Sequence, residues 1–315
     1  MTEPSNDHAF TRTELKGGTP EPTYAGALSF MRRKYTRDLT GVDVAVWGLP
    51  FDSAVTNRPG ARFGPRGVRE ASVIMDNDPQ YPFGFDIFED LAVIDYGDCA
   101  FDAHRLWEVP DRMTSQASTV LDAGVHLFSI GGDHFVTYPM LKAHAARHGP
   151  LALVQFDAHQ DTWDDDNERI DHGTMITRAV REGLIDIDHS IQIGIRTCAP
   201  ETYGIEILHG LDVAVMRPAE IADRIRTRVG GRQAYFTFDI DCLDPAFAPG
   251  TGTPVSGGLT SAQALSVLRG LGPIDFIGGD VVEVAPLYDH ANITSIAGST
   301  VAMMYLGLLA EKKRL

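Results

Sequence analysis

The chain has 315 residues, 43% of them hydrophobic, and a formal net charge of −16 at pH 7. That supplies one large core or two small ones, and the acidic balance, with no long basic run, excludes binding to nucleic-acid phosphate. No apolar run reaches the roughly 18 residues of a membrane span. The start Met1-Thr2-Glu3-Pro4 lacks a leader pattern, and three cysteines, Cys99, Cys198 and Cys242, with no Cys-x-x-Cys, suit a reducing cytoplasm.

Residues 1–40 are polar and spotted with Pro and Gly, and read as an N-terminal arm over a single domain spanning 41–315. From Val42 onward strand-like and helix-like segments alternate. Strands are expected at 42–49, 91–95, 125–130, 151–156, 190–195, 234–238 and 276–284, many of them apolar along their whole length, as strands covered on both faces are. Helices are expected near 111–123, 137–148, 174–183, 218–229, 260–271 and 294–312, with Thr260 as an N-cap. Pro65 and its neighbouring glycines set a turn before a helix, and Arg62, Arg66 and Arg69 are read as ion-pair or interface residues. This alternation predicts a doubly wound α/β domain with a mostly parallel sheet, whose ligands sit beyond the carboxyl ends of the strands.

Two short runs at such ends carry the chemistry. Asp157-Ala158-His159-Gln160-Asp161 follows the apolar stretch Leu151 to Phe156, and Asp239-Ile240-Asp241 follows Ala234 to Phe238. Side chains alternate along extended backbone, so Asp157, His159 and Asp161 point one way, and Asp239 and Asp241 do the same. Crowded carboxylates repel unless cations or protons neutralise them. Asp turns or helix N-caps are the alternative, but two period-two clusters, one with a histidine, favour a metal site. A third strand, Val125 to Ile130, runs into Gly131-Gly132-Asp133-His134 and leaves His134 at its exit.

Six donors, His134, His159, Asp157, Asp161, Asp239 and Asp241, exceed what one tetrahedral zinc needs. They suit a pair of divalent cations roughly 3.5–4 Å apart with aspartate bridges. The carboxylate-rich, thiolate-free set favours Mn²⁺. Such a pair lowers the pKa of water and points to metal-assisted hydrolysis. By alternation Cys242 and Gln160 face away from the donors. The acidic run Asp164-Asp165-Asp166-Asn167-Glu168 reads as a solvated loop.

Gly-Gly-Asp-His, Asp-Ala-His-x-Asp and Asp-Ile-Asp-Cys-Leu-Asp-Pro, in this order, resemble the ureohydrolases, the family of arginases and agmatinases. The resemblance covers roughly residues 42–309. It is strongest to the bacterial agmatinase branch through Ile130 to Thr137, Asp171-His172-Gly173-Thr174-Met175, Gln192 to Thr197, Phe238 to Pro254 and Asp280 to Pro286. It implies a three-layer α/β/α fold, two Mn²⁺ ions, and a homotrimer or homohexamer. His134 and Asp161 would bind one ion, His159 and Asp241 the other, with Asp157 and Asp239 bridging. His172 would move a proton and Glu283 would hold a substrate guanidinium. Asp161 would pass a proton to the leaving amine as a small cationic guanidine, agmatine, is cleaved to putrescine and urea.

Each of the last two residues has a plainer reading: His172 could cap the helix that follows, and an internal Arg could satisfy Glu283. Gln160 departs from the Thr or Ser the family often carries. Guanidinobutyrate and guanidinopropionate are alternative substrates. Glu201 or Glu206 is a candidate for an ammonium tail and Arg196 for a carboxylate tail. A non-catalytic protein with a structural cation site is the alternative of another class, and single-zinc deacetylases lack the second donor set.

Overall fold

A computed structural model describes residues 7–18, 21–76, 79–166 and 168–315. Among the described residues there are nine strands, β1 (Lys34–Tyr35), β2 (Val44–Gly48), β3 (Val93–Asp98), β4 (His126–Ile130), β5 (Ala152–Phe156), β6 (Ile191–Ile195), β7 (Glu206–His209), β8 (Gln233–Asp239) and β9 (Asp275–Val282). They form one sheet in the order β1-β3-β2-β4-β9-β8-β5-β6-β7, with every pairing parallel. The helices are α1 (His8–Thr11), α2 (Gly64–Ser72), α3 (Ile87–Asp90), α4 (Val109–Asp122), α5 (Thr137–His148), α6 (Met175–Arg181), α7 (Gly210–Val215), α8 (Pro218–Val229), α9 (Ser261–Arg269) and α10 (Ile293–Arg314).

Alternation along the strands builds the two helical layers. Val44, Val46, Val154 and Phe156 face a core shared with Val68 of α2, Ile221 and Ile225 of α8, Val267 of α9 and Val301 of α10. Ala45, Trp47 and Leu153 face the opposite core, shared with Met113 and Val120 of α4, Leu141 of α5 and Ile176 of α6. The result is the expected α/β/α sandwich, parallel throughout, with both sheet faces buried. Thr260 caps α9 as its sequence implies, accepting from the Gln263 amide at 3.1 Å.

Three features differ from the sequence reading. Two short strands, β1 and β7, escape it because they are edge segments with few buried residues. Residues 30–35 are built into the fold: Phe30 and Met31 join the core, and Arg32 is buried against Glu21 and Asp76. α10 is long and apolar enough to cross a membrane, the one such helix among the described residues, yet most of its apolar positions pack in the core, with Ile293 and Ile296 exposed. Arg62 pairs with Asp52, and Arg69 reaches Asp95 and Asp98 at 2.7 and 2.6 Å, so these arginines serve internal ion pairs.

Candidate metal centre and active site

Four adjacent central strands, β4, β9, β8 and β5, end at one level, where Ile130 pairs with Val281, Val281 with Phe238, and Phe238 with Phe156. One or more residues further on, the same four chains present His134, Glu283, Asp239 with Asp241, and Asp157 with His159 and Asp161. His134 exits through a turn that only glycine permits, since a Cβ on Gly132 would fall 1.7 Å from the Phe51 carbonyl oxygen. The six donors predicted from sequence therefore meet in one place.

They form two groups. His134, Asp157 and Asp239 offer ligand atoms within 4.8 Å of one another, and so do Asp157, His159 and Asp241. Asp157 is common to both. The His134 Nδ1 lies 3.0 Å from Asp157 Oδ2, 3.0 Å from Asp161 Oδ2 and 3.3 Å from Asp239 Oδ2, but none of these accepts a hydrogen bond from it. The His159 Nδ1 lies 3.1 Å from Asp241 Oδ2. The Asp-turn reading is also partly realised. Asp157 Oδ1 accepts from the His159 amide, Asp239 Oδ1 from the Asp241 amide and Asp241 Oδ1 from the Ala158 amide. Their other oxygens remain aimed at the histidines. An unpartnered, buried imidazole nitrogen ringed by carboxylates fits a divalent cation, because a cation satisfies donors that otherwise repel.

The protonation balance agrees. Burial, reinforced by neighbouring carboxylate charge, pushes the Asp239 and Asp161 carboxyls up. Burial alone would lower His159, but the Asp241 and Asp157 charges override it and raise it to about 12. Without cations, the cluster balances its charge with protons.

Behind the donors stand residues that the sequence reading missed. The Thr237 hydroxyl lies 2.8 Å from His134 Nε2 and donates to Asp280 Oδ1 at 2.6 Å. Asp280 also accepts from Tyr235 at 2.7 Å and Thr137 at 2.9 Å. The hydroxyl has one proton, given to Asp280, so it accepts from Nε2–H and leaves the Nδ1 lone pair facing the carboxylates. Alternation along β8 was the available signal, since Thr237 precedes Asp239 by two positions.

His172 does not cap the helix; Asp171 takes that place, accepting from the Gly173 amide at 2.8 Å. The His172 Nδ1 instead lies 2.8 Å from Glu283 Oε1, which also accepts from the His134 amide at 2.9 Å. Glu283 is fully buried, and among the described residues its Oε2 has no hydrogen-bond partner, an arginine included. Glu283 and Asp161 both hold positive φ, 63° and 53°, a strained backbone for residues other than glycine.

A cavity of about 510 Å³ opens over this floor, with His159, Asp161 and His172 below and Thr56, Trp163 and Arg169 among its walls. Several sequence expectations change here. Glu206 is taken by Arg224 and lies near Arg228, away from the cavity. Arg196 spends its guanidinium on the backbone carbonyls of Asp241, Gly194 and Val255, so it fastens the Asp241 turn and has no free fork for a carboxylate. Arg169 is the cation at the wall. Asp165 is buried and pairs twice with Arg178, at 2.6 and 2.9 Å, whereas Asp164 and Asp166 are exposed as expected. Gln160 points away from the donors and holds the Ala199 amide at 2.6 Å, and Cys242 packs in the core.

Residues 42–307 match the model of the arginase family. An agmatinase of Chromobacterium violaceum is 52% identical over 98% of this chain and 96% of its own length. The chain belongs to the arginase family. Among solved structures, a hypothetical agmatinase from Burkholderia thailandensis superposes with a TM-score of 0.97 at 54% identity, covering 98% of each chain. The proclavaminate amidino hydrolase of Streptomyces clavuligerus gives 0.88 at 38% identity, covering 93% of this chain and 100% of its own. As an arginase-family protein, the chain is a hydrolase acting on amidines, and its fold is that of the family.

Proposed function

We propose that this chain hydrolyses agmatine to putrescine and urea, with two Mn²⁺ ions held by the His134 and His159 clusters. The observation that carries the reading is the meeting, at one set of strand ends, of two histidine–carboxylate clusters and a buried Glu283 oxygen that none of the described residues pairs. Two divalent cations, when bound, supply Lewis acidity and bring the pKa of water toward neutrality.

In this reading His134 and Asp161 hold one ion, His159 and Asp241 the other, and Asp157 and Asp239 both. Glu283 Oε2 receives the substrate guanidinium, whose planar N–H fork matches a carboxylate. The His134 amide and His172 keep the other oxygen in place. The oxygen of water ends on the urea carbon, the bond from that carbon to the alkyl nitrogen breaks, and Asp161 passes that nitrogen its proton. His172 moves the proton released from water.

Asp171 on the cavity wall, whose Oδ1 holds the Gly173 amide, is a carboxylate for an ammonium tail beside the Trp163 ring, and Asp164 next to it already pairs with Arg181 at 3.0 Å. Arg169 on the same wall supports a second reading, a carboxylate-tailed guanidine such as guanidinobutyrate or guanidinopropionate. Arg169 is already engaged by the Asp164 carbonyl at 2.9 Å, which favours the ammonium. Exposed Tyr24, Ile74, Tyr81 and Leu287 around α2 and α10 support a homotrimer or homohexamer. Three free cysteines support a cytoplasmic protein.

The test is urea release by the Mn²⁺-loaded protein from agmatine, guanidinobutyrate, guanidinopropionate, arginine and guanidine, side by side. Agmatine ahead of the others by at least about tenfold in kcat/KM is the expected result, one good polar contact being worth about that much. Another guanidine ahead refutes the substrate. Bound manganese with no urea from any of them leaves a structural cation site.

A further inference from the structure

We propose that the Thr56 hydroxyl is the relay through which His172 exchanges its proton with solvent. The inference rests on the reading of His172 as the group that moves a proton. His172 lies at the cavity floor and is buried, at 7% exposure, so little of its ring meets water. Its Nδ1 is committed to Glu283 Oε1 at 2.8 Å, an oxygen already held by the His134 amide. Exchange is therefore confined to Nε2. The side-chain group that Nε2 meets is the Thr56 hydroxyl, at 2.8 Å, and in the neutral ring Nε2 also accepts from the Thr56 amide at 3.2 Å. Thr56 is exposed and lines the cavity, so the far side of its hydroxyl reaches water.

A hydroxyl both accepts and donates, which the backbone amide cannot do. When His172 is an imidazolium, the Nε2–H bond breaks toward Thr56 Oγ1 as the Oγ1–H proton passes to water. Imidazole and threonine are regenerated with one proton delivered outside. In reverse, water reprotonates the ring by the same path. Burial lowers His172, but Glu283, Asp133 and Asp161 face the ring and together raise it to about 9. A proton held that firmly leaves through an acceptor in contact with it.

The relay is rigid because its loop is tied on several sides. The Ala54 amide donates to Asp133 Oδ2 at 2.8 Å, and the His172 amide donates to the Ala54 carbonyl at 3.2 Å. The Asn57 side chain donates to the Gly252 carbonyl at 2.9 Å, and the Gly60 amide to Asp52 at 2.7 Å. Asp133 is itself fully buried, accepting from Phe135 as well as Ala54. Its place in the Gly-Gly-Asp-His turn is thereby explained.

Thr56→Ala keeps the amide contact and removes the hydroxyl together with the γ-methyl, and Thr56→Ser removes the methyl alone. The experiment measures kcat for agmatine with Mn²⁺-loaded wild type, T56A, T56S and H172N, in rising concentrations of N-methylmorpholine, a small proton-carrying buffer. General acid–base groups contribute about 10²–10⁴-fold, so loss of the relay alone should lower kcat about tenfold in dilute buffer, with KM unchanged. Rising buffer should restore T56A, leave wild type flat, and leave H172N low; T56S should recover most of the loss. A T56A kcat within twofold of wild type overturns the relay, as does a loss that buffer does not restore or one that falls on KM. If H172N itself keeps wild-type kcat, the reading of His172 fails; if H172N is impaired and T56A is not, the relay alone fails.

Discussion

The sharpest consequence of the buried network concerns Thr237→Val. The substitution keeps the shape of the side chain on β8 and removes the one oxygen between His134 Nε2, 2.8 Å away, and Asp280 Oδ1, 2.6 Å away. Without it, neither tautomer of His134 is favoured, and the form that turns an N–H toward Asp157, Asp161 and Asp239 becomes accessible. Losing such an outer partner lowers metal affinity about 10–100-fold, equivalent to about 1.4–2.7 kcal/mol of binding. The fold also weakens, since a buried donor and a buried acceptor lose their partners, at about 1–3 kcal/mol each. Manganese titration by calorimetry should show one of two sites weakened, the one containing His134, with T237S close to wild type. A T237V protein that binds both ions as tightly as wild type would refute the tautomer argument, whatever happened to its activity.

Glu283→Gln should lower kcat/KM by at least about a hundredfold, because an uncompensated guanidinium at that buried position costs about 3–5 kcal/mol, while manganese content measured by elemental analysis stays at wild-type level. Asp161→Asn or Asp239→Asn should nearly abolish turnover in a urea assay, and near-normal rates in either would remove the two-ion reading. His144, fully buried, is pushed down to about 4 by burial, below its unfolded value near 6.5. Over that window the unfolded chain binds the extra proton, so stability is lost as pH falls from 6.5 to 4, on the order of 1.4 kcal/mol per unit. His144→Leu should flatten this part of the pH dependence in urea melts, and an unchanged slope would contradict the assignment. Chelation of the manganese should lower the melting temperature, since ligand at a hundredfold excess over Kd adds about 2.7 kcal/mol; identical scans with and without EDTA would count against both clusters.

Much of the candidate centre is legible in the chain because its determinants are local. Alternation at two strand exits and the Gly131-Gly132 turn single out the six candidate donors that the fold brings together. Asp165 was misread as solvated because its run is charged, and only the approach of Arg178 makes its burial tolerable. Arg196 loses its expected role for a similar reason. It follows β6, beside the donor-bearing β5, and only the folded path of residues 241–255 brings carbonyl oxygens around it. β1 and β7 were invisible because short edge strands carry little apolar pattern.

The sequence by itself determined the parallel α/β class, most of its strands and helices, and the placing of the candidate donors at strand exits, since strand and helix periodicities act over a few residues; past those exits alternation lapses, with His134 and Asp241 in 3-10 turns and Asp161 at positive φ. Only the tertiary structure decided that β4, β9, β8 and β5 lie side by side. It alone set Glu283 against His172, 111 residues away, and left one Glu283 oxygen without a hydrogen-bond partner among the described residues. Likewise, His172 and Thr56 are 116 residues apart in the chain and 2.8 Å apart in space. Such meetings depend on which strands pair across the whole sheet and how loops of distant origin close over their ends, and no local pattern encodes them.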